Sequence, residues 1–380
     1  MGTDRTDIKN IMGLAIQPTN KLSIRSITRE NSAYFWGLIA VSIWIYAYFL
    51  PMGGFALKVS LFEAIVGDTS LYFFVMLITG SLIPLLFQGE RFVPASFYSV
   101  IISLACFIAV LFLGPTPASK IIMLIAVPCI AHIFISHVYA FFMVLNNSEK
   151  FYSMILVVLL PKVLMFLKPL LDRIQFIFYL VIAIIFLIMI FLAFSTYYIK
   201  THADTVASFK KTRAPIKAYS LMPVIAIVFS LNDVVAPAVL GQMSGYMNNQ
   251  IEAFYFIGII LGIAVIIILQ GRFSMNICIM LNLAFAFLAI GFVVDIARFQ
   301  HPELILLSAL CFGIAYSIGM VNVYYLAGFM IKKFQSLYFY RTGFLLSTAC
   351  YLLASIFVKV FGQDGVFFTP IMMAVMSILM

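Results

Sequence analysis

Apolar stretches about as long as a bilayer is thick recur along this chain from residue 33 to its end. A helix needs about 20 mainly apolar residues to cross the hydrocarbon core. Inside lipid every backbone N–H and C=O must be paired within the protein, so helices of this kind are the structures such stretches can form. Breaking the sequence at charges, Gly and Pro gives twelve candidate spans: 33–52, 69–87, 94–113, 121–145, 151–171, 174–197, 218–240, 251–269, 274–296, 304–331, 334–360 and 366–380. Composition agrees, since 64% of the residues are hydrophobic and only 10% are charged. A water-facing surface cannot be built from that mixture.

Positive charge sits between the spans and is unevenly shared. With the N-terminus in the cytoplasm, the inner segments carry fifteen Lys and Arg and the outer segments five, the remaining three being Lys162, Lys168 and Arg341 within spans. Lys and Arg accumulate on the cytoplasmic side of membrane proteins. The bias therefore predicts both termini inside and an even number of crossings; the expected location is the bacterial inner membrane, as a multi-pass protein. The net charge of +9 is explained by topology, and no nucleic-acid partner is expected. The longest polar stretch after residue 31 is 198–217, with Lys200, Lys210, Lys211, Arg213 and Lys217 against Asp204. It reads as a basic cytoplasmic linker, a tether and an anchor to anionic headgroups.

That linker separates two segments that echo one another. Gly80 and Gln88-Gly89 recur as Gly262 and Gln270-Gly271 at a shift of 182, with Arg91-Phe92 matching Arg272-Phe273. Val138-Tyr139 recurs as Val323-Tyr324 at 185, and Lys150-Phe151 as Lys333-Phe334 at 183. Several words at nearly one shift, in equivalent spans, predict a parallel repeat of six spans. The expected organisation is a tail over 1–32, a six-helix bundle over 33–197, the linker over 198–217 and a second six-helix bundle over 218–380.

Signals for other chemistry are missing. The five cysteines all lie in apolar runs without CxxC spacing, which suits buried small hydrophobes. There is no phosphate-binding glycine loop, no HExxH, and His132 and His137 are five apart, off one helical face. Neither enzymatic activity nor a cofactor is expected. The first thirty residues lack the short apolar core of a signal peptide, so the first span is expected to remain as an anchor.

Polar groups at depth are costly in lipid and are functional candidates for that reason. Span five reads PKVLMFLKP, with Lys162 near mid-membrane beside Pro161. Span seven carries Asn232-Asp233 between Pro223 and Pro237, and Asp233 could neutralise Lys162 or carry a proton. On span four His132, Ser136 and Tyr139 share one face; Ser317 and Tyr324 repeat the seven-residue spacing on span ten, with Asn322 beside them. Arg341 on span eleven and Tyr46 on span one complete the candidate binding set. Each polar residue has an alternative role as an interhelical hydrogen bond, worth about 0.6 kcal/mol on average. Gly258 and Gly262 form a small-xxx-small pattern for close packing, and span six should face lipid.

Taken together, the twelve spans, the six-plus-six repeat, the basic central linker and the Gln88-Gly89-Glu90-Arg91 turn after span two resemble the major facilitator superfamily. The resemblance covers 33–380. The turn is a shortened form of the family's motif, and span five has no Gly, unlike the Gly-Pro motif of many drug–proton antiporters. It implies an all-α membrane protein with twelve transmembrane helices in two six-helix pseudo-symmetric halves. Spans one, four, seven and ten would line a central cavity, and three, six, nine and twelve would lie outermost. The implied activity is secondary transport of a small organic, possibly anionic, solute by a monomer, with protons as a candidate coupling ion. Lys162 and Arg341 would attract the anion, Asp233 would balance charge or carry the proton, and His132, Tyr139, Asn322 and Tyr324 would select. The alternative is a similar membrane domain that senses a ligand for a helix-turn-helix regulator without transport.

Overall fold

A computed structural model describes residues 22, 24, 27–45, 70–86, 89–171, 188, 189, 192, 209–236, 240, 248–273, 275–297, 301 and 303–361. The expected spans six and twelve, and candidate Tyr46, lie outside the described residues, apart from isolated positions of span six. Spans one to five are helices α1 (Ser32–Trp44), α2 (Ser70–Leu86), α3 (Gly89–Leu113), α4 (Pro117–Met143) and α5 (Asn147–Leu171). Spans seven to eleven are α6 (Leu221–Ser230), α7 (Asn248–Ile266), α8 (Ile277–Ala297), α9 (Leu304–Phe334) and α10 (Leu337–Phe361). Two of them pass into wider π-helical turns, α6 over Leu231–Val235 and α7 over Ile267–Arg272. The protein is an all-α, multi-pass membrane protein; α4, α7 with its π turn, α8 and α9 are each long and apolar enough to cross a bilayer.

Local chemistry sets where these helices start. Thr116 caps α4, its hydroxyl accepting from the Ser119 N–H, with Pro117 at the first helical position, where the missing N–H costs nothing. At the start of α5 a capping box forms: the Glu149 N–H donates to Asn146 Oδ1 (2.9 Å) and the Asn146 N–H to Glu149 Oε2 (2.9 Å). Glu149 is fully buried and also accepts from Thr28 and Asn31, both at 2.8 Å, which fixes the segment leading into α1.

The second half is built around α9. It packs most extensively against α7 and α8, and glycines make the approach possible. A Cβ on Gly258 would lie 2.3 Å from the Leu310 carbonyl oxygen, and one on Gly313 would lie 2.1 Å from that of Tyr255. The small-xxx-small expectation for Gly258 and Gly262 therefore holds. Gly258→Val forces two backbones apart, and overpacking of this kind costs about 1–3 kcal/mol or more. We expect it to lower the melting temperature of the detergent-solubilised protein sharply, where Gly271→Ala, at an open position, leaves it unchanged.

Outward faces are apolar, as lipid requires. Ile101, Ile102 and Phe112 on α3 and Ile279, Ile290 and Val293 on α8 are exposed large side chains, so spans three and nine take the outer positions.

Candidate functional site

Between the two halves lies a cavity with about 1290 Å³ of empty space, its open mouth included. One wall comes from α1, α2 and α4: Ile45, Met76, Leu77, Gly80, Phe134, Val138 and Phe142 among others. The facing wall comes from α6, α9 and α10, including Met222, Phe229, Tyr324, Ile331, Tyr340, Phe344 and Tyr351. Spans one, four, seven and ten thus line it, joined by two and eleven. Among the described residues no charged side chain is in the lining.

Behind this wall sits a buried polar cluster. Asp233 lies in the π turn of α6, where a widened helix re-aims a side chain that a regular turn would place elsewhere. It accepts a hydrogen bond from Tyr351 and interacts electrostatically with Lys162 of α5, in the opposite half. The Lys162 ammonium stands 5.0 Å from the centre of the Tyr316 ring, a cation–π contact from α5 to α9. Tyr255 and Tyr316 are close enough to feel the Asp233 charge. The sequence brought Lys162 and Asp233 forward as a cross-half pair. It gave no sign of the tyrosines around them, because Tyr residues are scattered through most spans.

The other sequence candidates occupy other places. Tyr324 lines the cavity, its ring 5.9 Å from Phe229. Tyr139 lies beside the wall, edge-on to Tyr340 at 6.2 Å. His132 turns toward α3, with Nδ1 3.0 Å from the Ser99 hydroxyl, and Ser136 donates to the His132 carbonyl within α4. Asn232 donates to Val228 and packs on Gly319; Ser317 donates within α9. Asn322 accepts from the Gln270 side chain, joining α9 to the π turn of α7. A polar residue spaced along a helix face can meet either a cavity or a neighbouring helix, and here most meet a helix.

Basic groups near the linker end of the bundle do something that charge counting does not reveal. Arg341 donates from Nε to the Pro84 carbonyl (2.9 Å) and from a terminal nitrogen to that of Leu85 (2.8 Å). Buried Lys150 donates to the carbonyls of Phe142 and of Gly328 in the other half, both at 2.9 Å. Lys332 reaches back to Leu145 at 2.9 Å and Val144 at 3.3 Å. Apart from Gly328, which lies within α9, these carbonyls are ones left unpaired where a helix ends, and the cation there complements the negative end of the dipole. All three tie one half to the other.

The linker joins this closure. The Lys210 N–H donates to the Gln335 carbonyl (2.7 Å) and its own carbonyl accepts from Leu337 (3.0 Å), so the chain pairs with the turn between α9 and α10. Phe209 stacks on Tyr340 at 4.6 Å and meets Tyr139 edge-on at 5.3 Å. The tether expected from the sequence is, over 209–217, a docked segment with an aromatic ring set between the halves.

Compared with solved structures, the chain superposes on a bacterial homologue of the iron transporter ferroportin in an outward-facing state. The TM-score is 0.61 at 10% identity, over 93% of this chain and 97% of the other. The human organic anion transporter MFSD10 (TETRAN) gives a TM-score of 0.57 at 12% identity, over 91% of this chain and all of the other. The chain shares the fold of these two transporters. No protein-family model matches the sequence, and no curated protein does.

Proposed function

We propose that the protein is a secondary active transporter that carries a small organic solute through the central cavity by alternating access. The observation that carries this reading is the cavity itself, walled by both halves and backed by charges that face one another across the interface. A solute bound there touches both halves, so rocking them would change which side it can leave from. The ties from Lys150, Lys332 and Arg341, together with Phe209, support a state closed on the linker side, which the charge bias makes cytoplasmic. Among the described residues no three His, Cys, Asp or Glu side chains come together to hold a metal, which favours an organic solute over an ion such as iron. Counterflow in liposomes tests the reading: purified protein should exchange a labelled solute that it binds. Binding without counterflow would instead favour a ligand-sensing membrane domain.

Closure on the linker side makes its own prediction. Arg341→Met removes two hydrogen bonds between α10 and the end of α2. Spin labels at Leu86 and Tyr338, both exposed, should then report a larger population of long distances than in the parent. An unchanged distribution would mean that Arg341 does not hold the halves together.

A further inference from the structure

At the linker end of the cavity three aromatic rings meet, and one of them comes from the linker. Tyr139 of α4 and Tyr340 of α10 stand edge-on at 6.2 Å, one from each half. Phe209 fills the third side, stacked on Tyr340 at 4.6 Å and edge-on to Tyr139 at 5.3 Å. Ring pairs in these arrangements attract beyond the area they bury. Phe209 therefore touches both halves.

The backbone that carries this ring is fastened to the second half. Immediately after it, the Lys210 N–H donates to the Gln335 carbonyl (2.7 Å) and the Lys210 carbonyl accepts from the Leu337 N–H (3.0 Å). The Ser336 hydroxyl donates to the Thr212 carbonyl and accepts from the Phe339 N–H at 3.2 Å. Ala214 is buried as the chain runs on toward α6. The turn that receives these bonds is stiff. Just two residues, Gln335 and Ser336, separate α9 from α10, and Gln335 takes the left-handed conformation (φ 48°) that a residue with a side chain adopts at a cost. A connection so short cannot stretch, so the segment 210–214 moves with α9 and α10.

We propose that the linker is an anchored hook. Its segment 210–214 is fixed to the α9–α10 turn of the second half, and the Phe209 ring catches the first half at Tyr139. Opening on the linker side then requires the ring to leave Tyr139, whereas a plain tether would limit only how far the halves part. The hook rests on the transport reading in one respect, that the halves separate at this end.

Two variants divide the ring from its anchor. Phe209→Ala removes the ring. Lys210→Pro keeps it and removes the N–H that fastens it. Spin labels at Leu86 and Phe273, both exposed, report the distance across the linker end by pulsed electron spin resonance on the full chain in nanodiscs. Long distances should gain population about tenfold in F209A, which loses two aromatic contacts, and about threefold or more in K210P, which loses one backbone hydrogen bond. Both variants should melt within a few degrees of the parent, because Phe209 is only half-buried and Lys210 is exposed. A parental distance distribution in either variant would overturn the proposal. Opening in both, with a parent that shows no counterflow, would keep the hook and overturn the transport reading. A parent that exchanges solute while both variants keep its distribution would do the reverse.

Discussion

Lys162→Met is expected to reduce solute counterflow by about a hundredfold or more. The substitution keeps the length and apolar stem of the side chain but removes the charge that faces Asp233 and the cation on the Tyr316 ring. Asp233 is 3% exposed, and its charge is then left to the hydrogen bond from Tyr351. Removing one member of a buried pair costs about 3–5 kcal/mol. Lys162 is only half-buried, so the lower end applies, and about 3 kcal/mol lost from the state that holds the pair is about a hundredfold in that state's population, which sets the expected loss of counterflow. The double change Lys162→Met with Asp233→Asn should recover the melting temperature, because no buried charge is then uncompensated. It should not recover transport if the pair is part of the coupling machinery. A K162M protein that transports at the parent rate would show that the pair is not needed.

Gly80→Phe is expected to abolish counterflow while leaving the melting temperature within a few degrees of the parent. Gly80 lines the cavity, and a Cβ built there meets nothing within 4 Å. A phenyl ring would therefore grow into the space the solute uses, and replacing a helical glycine removes a cost of up to about 1 kcal/mol. The repeat-equivalent Gly262 gives the control. A Cβ at Gly262 would stand 2.0 Å from the Ser317 hydroxyl and 2.9 Å from the Ile314 carbonyl oxygen, so Gly262→Phe should prevent stable folding. One substitution at two positions 182 residues apart thus separates loss of function from loss of structure. If G80F also collapses the fold, the cavity is not open at that wall.

Those two glycines show how far a sequence repeat can be read. Their shared word marks equivalent places in two halves, but one opens on a cavity and the other seats a helix. Lys150 and Lys333 diverge likewise: Lys150 is buried on two carbonyls, while Lys333 is exposed and its neighbour Lys332 makes the cross-half contact. The Lys162–Asp233 pairing was legible because two charges in apolar spans have few other ways to be tolerated. The role of Arg341 was not, since its partners are the carbonyls of Pro84 and Leu85, which every residue possesses and no side-chain pattern announces.

The sequence alone determined that this chain is a bundle of membrane-crossing helices, and it announced the doubling of its plan. The first follows from the thickness of a bilayer and from the cost of burying charge, which act along the chain one span at a time. Only the tertiary structure decided which residues face the cavity, which close it at the linker end and which merely hold helices together. In water, a helix declares its buried face by the contrast between apolar and polar sides. In lipid, the outside is as apolar as the core, so the helices are apolar all round and the contrast disappears. What then orients each helix is close packing at glycines such as Gly258 and Gly313, and hydrogen bonds to helix ends such as those from Arg341 to Pro84 and from Lys150 to Phe142.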